Sequence, residues 1–470
     1  QQQVQRLSDV IKNVNGVYLG TARASTQETF YARGYSFSST NLFKNGARIN
    51  SGSMPEMSSL EKVEVLKGSA AILYRQVAPG GVVNMVTKQP KFNFGGEVSF
   101  RAGSYDLYKP AFDVYGPLSD NIAFRVNGTY ETANSFRDVV SSERYYVNPS
   151  VLFKLGNRTE LLVEGDYLKH NFTPDFGIGS LDNTKIPDVP RSSFYGTPWQ
   201  YATTEQATAT TSLKHLLSEA WTLNASLSYQ NYKRDYYAIE RIQAEKDGKW
   251  KRPLGRTNTA EDYFTGQVNL TGKFHTGAIE HTLLAGVDAD RYFTTTYAYN
   301  QPSIYDTINI LDPSKYVPRT DIPVVQKIRM VETPFNRFGA YVQDLVKLTP
   351  KLNVLAGLRW TYLETLGAVT TTLADGKTTT GTTNKDAAIS PRLGLVYKPT
   401  GSTSVFVSYA NSFVVNNGLD VDSNRLKPSI IDQFEAGVKN DFFNGKLSAN
   451  LTVYRIINNI LVQTAPFEMN

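Results

Sequence analysis

Three short patterns in this sequence could do chemistry if their surroundings agreed. Asp175-Phe176-Gly177 spells a kinase magnesium motif, Gly80-Gly81 follows Pro79 where a phosphate cradle could form, and four histidines could serve a metal. Each lacks its other half. No Gly-rich phosphate loop, strand lysine or catalytic-loop pattern accompanies Asp175, and no Lys-Ser/Thr follows Gly80-Gly81, which therefore reads as a chain reversal. His170, His215, His275 and His281 are dispersed, and only the last two lie close, across an expected tight turn, so ligation of a metal by side chains is not expected. Cysteine is absent, which removes thiol and disulfide chemistry and fits an oxidising compartment. The formal charge of +6 is spread thinly, with no basic run of the kind that binds nucleic acid.

The elements that would position any site are therefore the better guide. A chain of 470 residues with 41% hydrophobic content would ordinarily make two or three soluble domains. The aromatic load argues otherwise: 28 Tyr and 24 Phe stand against 4 Trp, together with 34 Gly. No stretch approaches the ~20 apolar residues of a spanning helix, so a membrane protein of this composition must span by strands closed into a barrel. The start at Gln1, without a signal peptide, suits a mature, trimmed chain.

Periodicity supports strands. Over 122–131, Ile122, Phe124, Val126 and Tyr130 alternate with Ala123, Arg125, Asn127, Thr129 and Glu131. The pattern returns at Trp221, Leu223, Ala225, Leu227 and Tyr229, and again at Leu447, Ala449, Leu451 and Val453, each with polar partners between. A soluble sandwich would alternate in the same way, and connection lengths separate the two. About fifteen strands are expected, with tight connections at 116–121, 156–159, 217–220, 275–280, 348–351, 399–403 and 442–446. The others mostly run long, at 170–204, 236–258, 298–334, 363–386 and 412–428. Such alternation is that of an outer-membrane barrel, with tight periplasmic turns and long external loops. It puts Ser119, Asn157 and Ser402 on the periplasmic side and Asp182, Asp247, Asp312 and Asp375 outside.

Residues 1–95 lack this rhythm and read as a small mixed domain of helix, short strands and a Gly-rich stretch, ahead of a barrel over 96–470. Here a resemblance becomes specific. Leu7-Ser8-Asp9-Val10, Asn13-Val14-Asn15-Gly16-Val17, Arg33-Gly34-Tyr35, Asn45-Gly46-Ala47-Arg48, the run from Leu60 to Gly68 and Leu73-Tyr74-Arg75 through Asn84 follow one another in order. Ser390-Pro391-Arg392-Leu393-Gly394, Leu426-Lys427-Pro428 and Glu435-Ala436-Gly437-Val438-Lys439 follow later. Together these resemble a TonB-dependent outer-membrane receptor of the ferric-siderophore, ferrichrome-type branch. Arg75 stands where the family usually has Gly, and Lys67 where it usually has Arg.

The resemblance implies an all-β membrane fold: a 22-stranded antiparallel barrel, of which about fifteen strands are present, holding an α+β plug in its lumen. It implies an N-terminal TonB box ahead of Gln1 and further strands beyond Asn470. It implies import of a ferric siderophore driven through TonB and its inner-membrane partners, with another bulky solute, an oligosaccharide or cobalamin, as the alternative. No catalytic residue or protein-bound cofactor is implied, since iron would arrive caged in its chelator. Expected surroundings are outer-membrane lipid and lipopolysaccharide of a Gram-negative cell, with no nucleic acid and a monomeric state. Arg33 and Lys67 are expected to face barrel-wall carboxylates, Glu435 best matched among them, or else to contact lumen water. The ligand is expected at the plug's upper face, around Arg23, Tyr35, Phe37, Ser38, Arg48 and Asn50, under a roof of Tyr195, Trp199, Tyr201, Tyr297 and Tyr299. A ferric chelate is bulky and oxygen-rich, so ring faces and planar guanidinium forks suit it. Loop tyrosines would equally suit an aromatic girdle at the membrane interface.

Overall fold

Long runs of period-two alternation, with β-branched and aromatic side chains on one face, leave the chain little alternative to strands. The structure, a computed structural model, describes residues 4–23, 27–37, 41–49, 52–67, 80–416, 418–422, 424–460 and 462. The Arg75 region lies outside them.

The first part of the chain is a small mixed domain. Helix α1 (Leu7–Ile11) is held at its start by Asp9, whose carboxylate accepts the Arg6 and Gln5 backbone N–H groups at 3.0 Å each. Strands β1 (Val17–Arg23), β2 (Gln27–Ala32) and β3 (Tyr35–Phe37) form one antiparallel sheet. Strands β4 (Leu42–Lys44), β5 (Ala47–Arg48), β6 (Leu60–Lys67) and β7 (Gly81–Thr87) form another, in which β4 and β7 run parallel. Two-residue turns connect β2 to β3 and β4 to β5. Arg33 and Gly34, and likewise Asn45 and Gly46, all have positive φ, as the hairpin turn matching strand twist demands. Leu7, Ile11, Phe30, Leu42, Ile49, Met57, Val83 and Met85 fill the core between the two sheets.

From Gly95 the chain becomes a wall of strands: β8 (Gly95–Gly103), β9 (Leu107–Ser119), β10 (Ile122–Asn134), β11 (Ser141–Lys154), β12 (Thr159–Phe172), β13 (Ser180–Leu181), β14 (Tyr201–Leu216), β15 (Trp221–Ile239), β16 (Gln243–Ala244), β17 (Lys249–Thr276), β18 (Ile279–Tyr299), β19 (Ile304–Asn309), β20 (Lys327–Thr349), β21 (Leu352–Thr365), β22 (Val369–Thr372), β23 (Thr378–Thr380), β24 (Asn384–Tyr397), β25 (Thr403–Val414), β26 (Ser429–Phe442) and β27 (Leu447–Asn458). Five of these, β13, β16, β19, β22 and β23, are short strands within connections; the other fifteen are the expected long strands. Antiparallel register passes from each long strand to the next and curls the wall around the first domain. With fifteen strands of alternating direction, β8 and β27 run the same way, and both are exposed on both faces.

One rim has only tight connections, of which 120–121, 277–278 and 350–351 are two residues each; the other carries 173–200, 300–326, 366–383 and 415–428. Ser119, Asn157 and Ser402 lie at the first rim, and Asp182, Asp247, Asp312 and Asp375 at the second. Two expected loops prove to be partly strand. Pairing of β15 with β17 continues up to Ile239 opposite Leu254, and that of β18 with β20 up to Tyr299 opposite Lys327. Little apolar alternation marks these stretches, so only pairing reveals them.

The two faces of the wall differ as the alternation requires. On β10, Arg125, Asn127, Thr129 and Glu131 point into the lumen and are buried. The opposite face carries Val98, 84% exposed, Leu227, 69% exposed, and Val114, Val268, Val287, Leu358 and Ile389. So large an apolar band would be an aggregation hazard in water and is what a lipid-facing barrel presents.

Candidate functional site

Charged side chains on the lumen face are cut off from bulk water, and each needs a partner or costs several kcal/mol. The partners come from the first domain. Glu131 accepts both terminal nitrogens of Arg6, Nη1 at 3.1 Å. Lys109 donates to Glu56 at 2.9 Å and lies 3.2 Å from Glu131, so one ammonium bridges a carboxylate of the enclosed domain and one of the wall. Arg144 donates to the Met54 carbonyl at 2.8 Å, with its guanidinium 3.9 Å from Glu56. Burial alone would push the Glu56 carboxyl up, but Lys109 and Arg144 outweigh it and hold Glu56 below the usual carboxylate range. Glu28 is compensated less, by Ser8 and the Arg6 charge. Burial raises its carboxyl despite the Ser8 N–H it accepts at 3.2 Å.

Further contacts spread around the wall. Lys44 donates to Asp166 at 2.6 Å, Thr87 to Glu164 at 2.9 Å, and Asn45 to Glu164. Lys88 meets Asp113 at 2.9 Å, and Arg125 grips the same carboxylate at 2.8 and 2.6 Å. On β26, Glu435 accepts Arg33 through both oxygens, at 2.6 and 2.8 Å, with Tyr454 under the guanidinium at 4.8 Å. The turn that aims Arg33 is the positive-φ Arg33-Gly34 pair. Lys67 departs from expectation: it is exposed, and its ammonium donates to the Asn15 carbonyl within its own domain. Strand β6 carries it away from the wall. Sequence reasoning missed Arg6, Lys44, Glu56, Lys88, Lys109, Glu164 and Asp166. Their signal was available for Arg125 and Glu131, whose place on the polar face of β10 marks them as lumen charges in need of partners.

The expected ligand residues divide. Tyr35 on β3 and Arg48 on β5 are half-buried, and Arg48 stacks 5.5 Å over Phe43. Arg23 and Phe37 are placed by backbone on β1 and β3, while their side chains, with Ser38 and Asn50, lie outside the described residues. Tyr195 and Trp199 pack into an apolar loop core with Tyr237, Ile239, Trp250, Tyr305 and Ile310. The Tyr195 hydroxyl donates to Ile310 at 3.3 Å, and the Trp199 ring lies 5.0 Å from that of Tyr237. Tyr201, Tyr297 and Tyr299 fall on the outer face. Register puts Tyr201 opposite Tyr237 and Tyr237 opposite Arg256, in the parity of exposed Leu227 and Phe264. Tyr297 and Tyr299 share the parity of exposed Val287. Arg256, ion-paired with Asp235, stands 4.6 Å from Tyr299 and 5.9 Å from Tyr201, and Lys327 sits 3.6 Å over Tyr297. The five aromatics are thus not brought together over the enclosed domain. What meets it from the upper wall is Tyr232, donating to Gly52 at 3.2 Å, and Thr204, 2.8 Å from Ser53.

The motifs that invited enzymatic readings have local roles. Asp175 pairs with Arg137 at 2.9 Å and accepts the Gly177 N–H at 2.9 Å, closing a loop turn. Gly80 lies in a turn and Gly81 opens β7 opposite Lys67 of the antiparallel β6, where a Cβ would stand 2.8 Å from the Leu66 carbonyl. His170 stacks on Phe172, His215 bonds Thr159 at 2.8 Å, and His281 lies 2.6 Å from Asp344. Among the described residues no group of three His, Cys, Asp or Glu could hold a metal ion.

Comparison with known proteins agrees with this architecture. A family model described as "TonB-dependent Receptor Plug Domain" matches residues 1–82, and one described as "TonB dependent receptor-like, beta-barrel" matches residues 146–467. The metal-pseudopaline receptor CntO of Pseudomonas aeruginosa is 31% identical over 421 residues, covering 86% of this chain and 57% of that protein. The catecholate siderophore receptor Fiu of Escherichia coli K12 is 27% identical over 504 residues, covering 96% and 66%. The chain thus spans between about half and two thirds of the length of these curated relatives. The open form of Fiu superposes with a TM-score of 0.84 at 26% identity, over 97% of this chain and 72% of that one. The siderophore receptor PiuA of Acinetobacter baumannii gives 0.84 at 24% identity, over 96% and 70%, a likeness of fold alone.

Proposed function

We propose, since this chain belongs to the TonB-dependent receptor family of the outer membrane, that it captures a ferric siderophore outside the cell and imports it. One observation carries the proposal: a folded plug is tied across the lumen through Arg6, Arg33, Lys44, Glu56 and Lys88. A passive pore has no use for a plug held at the cost of so many desolvated charges. The outer membrane has no ATP of its own, so the work of moving the plug comes through TonB and its inner-membrane partners. The long-loop rim faces outward and the tight-turn rim faces the periplasm.

Relatives that receive metal-pseudopaline and catecholate siderophores support a metal chelate as cargo. The chelator brings the iron already ligated, so the protein needs neither a metal site of its own nor a catalytic residue. The plug's upper stretches, with Arg23, Tyr35, Phe37, Ser38, Arg48 and Asn50, supply the first contacts, and a ferrichrome-type ligand would use the guanidinium forks of Arg23 and Arg48. Lipid and lipopolysaccharide meet the apolar outer face, and the barrel acts as a monomer.

Uptake of radioactive iron tests this reading. Cells carrying the complete gene as their only receptor should accumulate ferric chelate when TonB is present and bind without accumulating when it is absent. Uptake indifferent to TonB would refute it, and a solute recovered from the purified receptor that mass spectrometry shows to be an oligosaccharide or cobalamin would replace the cargo.

A further inference from the structure

A cavity of about 380 Å³ opens at the long-loop rim between connections 366–383 and 415–428, lined by Thr365, Thr382, Asn384, Asn416, Leu419 and Arg425. It faces the lumen. Thr365 and Asn384 stand directly opposite each other, two residues beyond the opposed pair Leu363 and Asp386, in the parity of Arg359, whose guanidinium lies inside on Asp288.

The chemistry of the lining is narrow. Both hydrogens of the Asn416 amide are used, toward the Lys427 carbonyl at 2.7 Å and the Ser429 hydroxyl at 2.9 Å, which presents its oxygen as an acceptor. Arg425 is already ion-paired with Asp386, so its charge is balanced in place. Thr365, Thr382 and Asn384 can each donate and accept. An anionic group would find no uncompensated cation, and an aromatic one no ring face. An apolar group would strand the hydroxyls and amides without partners. The volume lies near the low end of ~300–1,000 Å³ typical of ligand sites, room for part of a bulky solute.

We propose that this cavity is a second subsite of the receptor, taking a neutral, non-aromatic portion of the captured solute that is rich in amide or hydroxyl groups. The inference rests on the reading that the chain captures a bulky solute. Two sources share that chemistry, the peptide backbone of a chelator and a sugar. The test titrates the purified full-length receptor with three probes, following its intrinsic fluorescence. They are the ferric complex of a cyclic-peptide trihydroxamate, maltohexaose, and ferric tris(2,3-dihydroxybenzoate), which is anionic, aromatic and has no amide. Asn384→Leu and Thr365→Val together should weaken the peptide-backboned complex at least ~10-fold, about 1.4 kcal/mol, while the dihydroxybenzoate complex binds unchanged and so reports an intact fold. Loss confined to maltohexaose would support the subsite with a sugar as its occupant. Unchanged binding of every probe that the wild type binds would overturn the subsite and leave capture standing, which falls separately if cells carrying the complete gene accumulate no ferric chelate.

Discussion

Glu131→Gln is the most telling perturbation of the plug lock. Glu131 is buried on β10, grips Arg6 through both oxygens and stands 3.2 Å from Lys109. The amide keeps the shape and removes the charge, so Arg6 loses its partner while Lys109 keeps only Glu56 at 2.9 Å. Orphaning one member of a buried pair costs about 3–5 kcal/mol. Arg6 retains access to solvent, with 26% of its side chain exposed, and Gln can still accept one bond, so about 2–3 kcal/mol is the better expectation. That raises the population of a loosened plug roughly 30- to 150-fold. In cells carrying the complete receptor, the variant should admit large antibiotics that the outer membrane normally excludes, and protease should cleave its plug faster. The double-mutant cycle with Arg6→Ala should return much of the loss as coupling, because either change alone breaks the same contact. Unaltered antibiotic exclusion and plug protection, with the variant receptor present at normal levels, would refute the lock.

Four further outcomes follow from the same structure. Arg33→Glu places two carboxylates together at Glu435 and should likewise make the barrel leaky; unchanged permeability would count against the contact. Acid should loosen the plug through Glu56. Its carboxyl lies below the ordinary 4.5, so its contribution is complete above that pH and lost as pH falls through the lowered value, and limited proteolysis should show a smaller acid-induced gain in cleavage for Glu56→Gln than for wild type. Single cysteines at Asp182, Asp247, Asp312 and Asp375 should react with an impermeant reagent on intact cells, and those at Ser119, Asn157 and Ser402 should not; the reverse pattern would invert the orientation. Arg23→Ala with Arg48→Ala should weaken the cognate chelate at least ~10-fold, about 1.4 kcal/mol, with the amount of folded barrel unchanged, and equal affinity would move the ligand elsewhere.

Much of the wall was legible because lipid on one side and water or plug on the other impose period two on every strand. Ile122 through Glu131 show it with only Gly128 out of pattern, and the fifteen long strands match the number expected. The positive-φ turns at Arg33-Gly34 and Asn45-Gly46 were legible as motifs, since few residue pairs suit them. The upper reaches of β15 to β20 were not, because above the membrane both faces are polar and the alternation that betrays a strand is gone. The aromatic roof failed for a related reason. Whether Tyr201 or Tyr299 points in or out is decided by counting parity from Leu227 or Val287 along an unbroken strand, and those strands looked like loops. Lys67 and Lys44 are both plug lysines. Only the fold shows that Lys44 reaches Asp166 while Lys67 turns back to Asn15.

The plug's ion pairs also bear on electrical behaviour once it moves. Withdrawal would remove Arg6, Arg33, Lys44 and Lys88 together with Glu56, leaving on the wall Asp113, Glu131, Glu164, Asp166 and Glu435 against Lys109, Arg125, Arg144 and, beside Glu435, Arg392. Among the described residues at that contact, five carboxylates then face four cations. An emptied lumen of this composition favours potassium over chloride, so the current through a receptor stripped of its plug in a salt gradient should reverse toward the potassium equilibrium potential.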